Sequence, residues 1–246
     1  MKAFPGRFSP VLVLGLALAA AARGADSAPS VDSILEKSIT ATGGRAAMEK
    51  VKSRVIKGDL DLMGATSEWV MQAKAPDKQC SEFNNPNSGA VADGFDGVVA
   101  WSRNPSGIRV KEGEELAKSK RDADFYRFLH LKKLYPDLAY KGADKVDGEE
   151  VSVLESKPSP SSSERFSFSV KSGQLIRQES AFEGPQGKLS VDVHMSDFRA
   201  VDGVQYAHGI KLKVSVAGQD FEFGIKVKEI KHNLPIEDSK FAKPAS

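Results

Sequence analysis

Ser53-Arg54-Val55-Ile56-Lys57-Gly58-Asp59-Leu60-Asp61-Leu62, followed closely by Thr66-Ser67-Glu68-Trp69-Val70-Met71-Gln72-Ala73-Lys74, reads with a period of two. Ile56, Leu60 and Leu62 fall on one face of the first run, and Lys57, Asp59 and Asp61 on the other. In the second run Trp69, Met71, Ala73 and Ala75 oppose Glu68, Gln72 and Lys74. Successive side chains of an extended chain point to opposite sides, so both runs read as half-buried strands.

The same alternation extends outward. Strands are predicted at Lys78–Phe83, Ala90–Phe95 and Val98–Arg103, the last two joined by a turn at Asp96-Gly97. It returns at Val151/Val153, Phe166/Phe168/Val170, Leu175–Phe182, Leu189/Val191/Val193/Met195, Val204–Val216 and Phe221/Phe223/Ile225/Val227. Two regions have helical spacing instead. Val31, Ile34, Leu35 and Ile39 follow the N-cap candidate Ser30 and stop at Gly43-Gly44, with a second short piece over Arg45–Val51. Glu112–Leu134 reads as one or two helices ending before Pro136. About ten strands with short connections predict a mainly β chain with a few helices, built on a single antiparallel sheet. A sheet of that size must curl, and with few helices to fill it the concave side is hollow.

The 246 residues, 40% hydrophobic and 28% charged, suffice for one domain-sized core and exclude collagen-like, disulfide-rich and wholly disordered classes. The N-terminus carries Lys2 and Arg7, an apolar run from Val11 to Leu18, and small residues to Ala22. These are the three parts of a cleaved secretory leader, too short for a membrane anchor. Residues 1–24 are therefore expected to be a signal peptide, and 25–246 one exported domain. Loss of Lys2 and Arg7 lowers the net charge from +2 to zero, and loss of Arg23 lowers it to −1. That leaves no basic excess for nucleic acid. Cys80 has no second cysteine to pair with.

Catalytic signatures are missing. His130, His194, His208 and His232 include no pair at metal-ligand spacing, and no G-x-S-x-G, S-x-x-K, H-E-x-x-H or G-x-G-x-x-G motif occurs. The expectation is a binding protein rather than an enzyme, without metal or cofactor.

The hairpin Phe95-Asp96-Gly97-Val98-Val99-Ala100-Trp101-Ser102-Arg103-Asn104-Pro105 and the ending Leu234-Pro235-Ile236-Glu237-Asp238-Ser239-Lys240-Phe241 resemble the LolA-like family of periplasmic lipoprotein carriers. Ile39-Thr40-Ala41-Thr42-Gly43-Gly44-Arg45-Ala46-Ala47 is similar to a broad group of secreted proteins placed with those carriers. The resemblance implies a half-open β-barrel around plug and lid helices, with an apolar cavity for acyl chains. It implies a monomeric periplasmic carrier or chaperone for a lipoprotein's acyl chains or another lipid, with an inner-membrane release complex and an outer-membrane receptor as partners. On the concave parity, Ile56, Leu60, Leu62, Trp69, Met71 and Ala73 are candidate cavity residues, together with Phe166 and Phe168. Phe125, Phe128 and Leu129 are candidates for the lid or plug. Family carriers use an arginine that hydrogen-bonds the lid, and Arg54 is the candidate here. The alternatives are an envelope sensor or accessory interaction domain on the same fold, and, ranked last, an envelope enzyme.

Overall fold

The computed structural model describes residues 28–62, 64–85, 89–184 and 187–245. The expected leader, residues 1–24, lies outside them. Among the described residues, none of the helices is long and apolar enough to cross a membrane.

The chain opens with α1 (Val31–Ala41), whose first turn is closed by the Ser30 hydroxyl accepting the Ser33 N–H at 3.1 Å. Gly43 and Gly44, both at positive φ, end it, and the Gly44 N–H returns to the Ile39 carbonyl at 2.8 Å. The short α2 (Arg45–Lys50) follows. Six strands then form a meander: β1 (Ser53–Leu62), β2 (Ala65–Lys74), β3 (Lys78–Asn85), β4 (Gly89–Phe95), β5 (Ala100–Asn104) and β6 (Gly107–Val110). The connection carries α3 (Gly113–Ala123), a 3-10 turn over Arg127–Leu129 and α4 (Leu131–Leu134). A second meander contains β7 (Ala139–Val146), β8 (Glu149–Ser159), β9 (Ser162–Ser169), β10 (Leu175–Gly184), β11 (Gly187–Val201), β12 (Val204–Val216) and β13 (Gln219–His232).

All thirteen strands belong to one antiparallel sheet, because β1 pairs with β13 and joins the two meanders. The order runs from β6 through β1, then β13, to β7, and the sheet is not closed. The expected curled, open sheet is the observed one, with two strands beyond those predicted along the chain. These are the edges, where alternation is weak: β6 is four residues long, and β7 carries Lys141, Asp144 and Lys145. Short and charged edges discourage pairing with other chains. The strand expected from Val98 begins at Ala100 instead. Asp96 Oδ1 accepts the N–H groups of Val98 and Val99 at 2.8 and 2.7 Å, which holds both residues in the turn.

The register shows which side is apolar. Directly opposed residues share a face, and one row across eight strands reads Leu62, Phe223, Leu212, Val193, Gln178, Phe166, Leu154, Tyr140. The adjacent row on the other face reads Glu222, Lys213, Asp192, Glu179, Arg165, Glu155, stitched by ion pairs of Arg165 and Arg177 with the acids. The helices lie on the apolar side. Ile34 and Leu35 of α1 and Leu131 and Tyr135 pack on Leu154, Phe166, Phe168 and Leu175.

The outer face of β2–β5 has its own cover. The C-terminal tail crosses it, with Lys74 and Lys78 gripping Asp238 at 2.8 and 2.7 Å. Hydrogen bonds from these two lysines hold the Asp238 carboxyl down at about 2. Phe241 is fully buried against Cys80, Ala92 and Trp101, and its carbonyl accepts the indole N–H of Trp101 at 2.8 Å. Burial foremost, with Glu82 adding, pushes the Cys80 thiol up to about 11, the state of an inert buried thiol. Gly94 permits this arrangement: a Cβ there would lie 2.4 Å from the indole ring. Gly94→Ala is expected to cost about 1–3 kcal/mol through overpacking, read as a lower urea midpoint, and to speed proteolytic trimming of the tail.

Candidate ligand cavity

α3 bridges the concave side, packing against β10 on one flank and β4 and β5 on the other. Leu116 and Ala123 meet Phe95 and Ala100 on the β4–β5 side. Contact with the other wall is made by charges. Lys118 reaches Asp122 at 2.9 Å and the buried Glu164 of β9 at 3.2 Å, and Arg127 reaches Asp122 at 3.3 Å. Gln178 donates to the second oxygen of Glu164 at 3.1 Å. Burial opposes the charge on Asp122, yet Lys118 and Arg127 overcome it and hold the carboxyl below its usual value. Burial likewise works against Lys118, and Asp122 and Glu164 still raise it. Lys118, Asp122 and Arg127 therefore remain ionised within one cluster.

The helix stops at Asp124 because that side chain turns back on the chain. Its carboxylate accepts the Tyr126 N–H at 2.9 Å and pairs with His130 Nδ1 at 2.9 Å. The Phe125 N–H is held by the Pro76 carbonyl at 2.9 Å, and the Tyr126 hydroxyl donates to the Val51 carbonyl at 3.0 Å. These ties place Phe125 and Phe128 over the hollow part of the sheet.

Between this segment and the sheet lies a cavity of about 420 Å³. Ile56, Trp69 and Met71 form one wall, and Val193, Met195, Ile210, Leu212 and Ile225 the other. Phe125 and Phe128 roof it. Ser38, Thr42, Gln174, Gln205, Tyr206 and Arg54 add polar groups to the lining, as do Tyr126, Arg127 and Gln178. Volume, apolar walls and a few converging polar groups are the attributes of a small-molecule site. A larger hollow of about 560 Å³ on the outer face is walled by Glu155, Arg165, Glu179 and Asp192, whose charges are spent on one another or on their neighbours.

Of the residues expected in the cavity, the structure brings together Ile56, Trp69 and Met71, with Phe125, Phe128 and Arg54 beside them. Leu60 and Leu62 lie in the same apolar cluster as Ile56 and Ile225, outside the lining. Ala73 is buried at 4% exposure, and the wall ends at Met71. Phe166 and Phe168 belong to the filled core under α1 and α4, since the helices occupy the space in front of them. Leu129 packs on the cluster of Met48, Val51 and Val204. Arg54 forms no hydrogen bond to the connecting segment; it meets it through the ring of Phe125, 5.3 Å away. The wall from β11–β13 was absent from the expected site, although Val193, Met195 and Ile225 show strand parity in the sequence.

No protein-family model and no curated protein matches the chain. Similarity appears among solved structures. A domain from Vibrio parahaemolyticus assigned to outer membrane lipoprotein sorting superposes with a TM-score of 0.52 at 14% identity, covering 85% of this chain and 97% of that one. A LolA superfamily protein from Nitrosomonas europaea gives 0.51 at 14% identity, over 88% and 99%. A DUF1329 family protein from Desulfovibrio piger gives 0.51 at 13% identity, over 87% and 98%. The fold is LolA-like. At such identities the likeness shows the architecture alone.

In this LolA-like sheet, filled and hollow regions respond differently to added bulk. Ala73→Phe is expected to lose about 1–3 kcal/mol by overpacking, whereas Ile210→Phe, facing the cavity, leaves the urea midpoint within about 0.5 kcal/mol of the parent. The charged contact of α3 is tested separately. Lys118→Met strands the Glu164 carboxylate, which is 2% exposed, and should cost about 3 kcal/mol. Adding Glu164→Gln should recover most of that loss in the same denaturation assay.

Proposed function

We propose that this chain is an exported carrier or chaperone that shelters the apolar part of a lipid, such as a lipoprotein's acyl chains, in the cavity beneath α3. The observation that carries the reading is the cavity itself: about 420 Å³ walled by aliphatic and aromatic side chains. A sheet this long has apolar residues to spare on its concave side, among them Val193, Ile210, Leu212 and Ile225 at the hollow. A free acyl chain exposes apolar surface to water at about 25 cal/mol per Å², so a preformed apolar hollow binds it without chemistry or cofactor. The LolA-like architecture supports the reading, as does the leader pattern at residues 1–24, which we take to direct a soluble protein to the periplasm. In this reading the protein acts as a monomer, receiving cargo at the inner membrane and yielding it to an acceptor at the outer membrane. The α3 strap would admit and release the cargo.

Native mass spectrometry of protein exported to the periplasm, followed by lipid extraction, tests the proposal directly, and co-purified acyl species are the expected result. In solution, displacement of a neutral apolar dye by a homologous series of alkyl compounds should strengthen about fourfold per added methylene, the equivalent of about 0.8 kcal/mol. The gain should level off once the cavity is full. Met195→Trp should shorten the chain length at which it levels off. A flat series with unaltered thermal stability would rule the reading out.

A further inference from the structure

Two guanidinium groups reach the cavity, and their surroundings differ. Arg127 is paired with Asp122 at 3.3 Å and hydrogen-bonded to the Tyr135 hydroxyl at 3.2 Å. Arg54 has no hydrogen-bond or ion-pair partner among the described residues, and its Nε is buried without an acceptor. It lies between two rings of the lining, with its central carbon 5.3 Å from the Phe125 centroid and 5.4 Å from that of Tyr206. Stacking engages the faces of the guanidinium and leaves its in-plane N–H donors available.

The surroundings hold this cation in place without neutralising it. Arg54 stands opposite His232 in the β1–β13 register and opposite Ala73 in β2. His232 Nδ1 lies 3.0 Å from Asp202 Oδ2, and its Nε2 lies 3.0 Å from the Tyr206 hydroxyl. With the proton on Nδ1, the tautomer Asp202 requires, His232 accepts the Tyr206 O–H. The carboxylate is thereby committed to the imidazole, the phenol hydroxyl is committed as well, and the Tyr206 ring is fixed as a platform under Arg54. Burial foremost, helped by the charge of Arg54, holds His232 below its usual value, which disfavours a second positive charge beside Arg54. The nearby Thr42 hydroxyl and the Gln174 amide donate to the Ser38 and Ala41 carbonyls, at 2.9 and 2.8 Å. Neither competes for the donors of Arg54.

An unpaired cation facing a mostly apolar chamber is costly unless the ligand supplies the counter-charge. The chamber is small, about 420 Å³, and Ile56, Met71, Ile210 and Ile225 line it together with Arg54. We propose that Arg54 is the receptor for the anionic head of a single-chain amphiphile, whose alkyl tail runs along Ile56, Met71, Ile210 and Ile225. This rests on the apolar-cavity reading above and narrows its ligand to an acid. A fatty carboxylate and a monoalkyl phosphate share the required chemistry, a planar or tripodal set of anionic oxygens that a guanidinium engages through two N–H groups.

The test compares dodecanol, dodecanoate and dodecyl phosphate as displacers of a neutral apolar dye from the intact protein at low ionic strength. At least one acid should bind tenfold or more tighter than the alcohol, and the preference should shrink as salt is added. Whether dodecanoate or dodecyl phosphate leads distinguishes a free fatty acid from a phosphate head group. Arg54→Met should abolish the advantage of the acids over the alcohol, and Arg54→Lys should retain part of it. Equal binding of alcohol and acids by the unaltered protein would overturn the inference while leaving the cavity reading intact. If none of the three displaces the dye, the cavity reading fails with it. The comparison in the unaltered protein is decisive even where an Arg54 variant does not fold.

Discussion

The pairing of β1 with β13 is the constraint on which the rest of the molecule depends. It brings Arg54 opposite His232 and Leu62 opposite Phe223, uniting segments almost at the two ends of the described chain. Without it the two meanders would be separate sheets, each with one more open edge, and neither would have a concave side deep enough to enclose anything. With it, a wall from the first meander (Ile56, Trp69, Met71) faces a wall from the last strands (Met195, Ile210, Ile225) across a single hollow. The closure entropy of so long a loop is large, though it grows only slowly with length, and two long antiparallel ladders on either side of the junction offset it.

Once the sheet is continuous, it presents more apolar surface on its inner side than the short helices cover. The molecule divides that surface. Over β8–β10, α1 and α4 fill the space and bury Leu154, Phe166 and Phe168 completely or nearly so. Over Ile56, Met71, Val193, Ile210, Leu212 and Ile225 a hollow remains, and residues Phe125, Tyr126, Arg127 and Phe128 of the connection reach it. The connection is held at one end by apolar packing of α3 on β4 and β5 and at the other by the ion cluster of Lys118, Asp122, Arg127 and Glu164. A charged contact is sensitive to geometry and gains little from imperfect docking, whereas apolar packing tolerates sliding.

The strand pattern was legible because alternation is a local property. A strand with one wet face must place its apolar side chains at every second position, and Ile56, Leu60, Leu62, Trp69 and Met71 do so whatever their partners are. The helix boundaries at Ser30 and Gly43-Gly44 were readable for the same reason, since capping involves only neighbours a few residues away. The edge strands β6 and β7 were not, because an edge is free of the alternation that burial enforces. Phe166 and Phe168 carried the right parity and still proved to be filled core, for parity names a face and says nothing of what lies in front of it.

The sequence by itself therefore determined the strands, their inward faces, the few helices and the polar character of the outer surface, all consequences of spacing along the chain. Tertiary structure alone decided which part of the inner face is hollow, because that depends on where α1, α3 and α4 come to rest. It also decided that Arg54 has no counter-ion among the described residues while Arg127 has one, since the acids and rings around them come from strands and helices far away in the chain. Coulomb and packing energies depend on distance in space, and the alternation of residues carries no record of distances between remote segments.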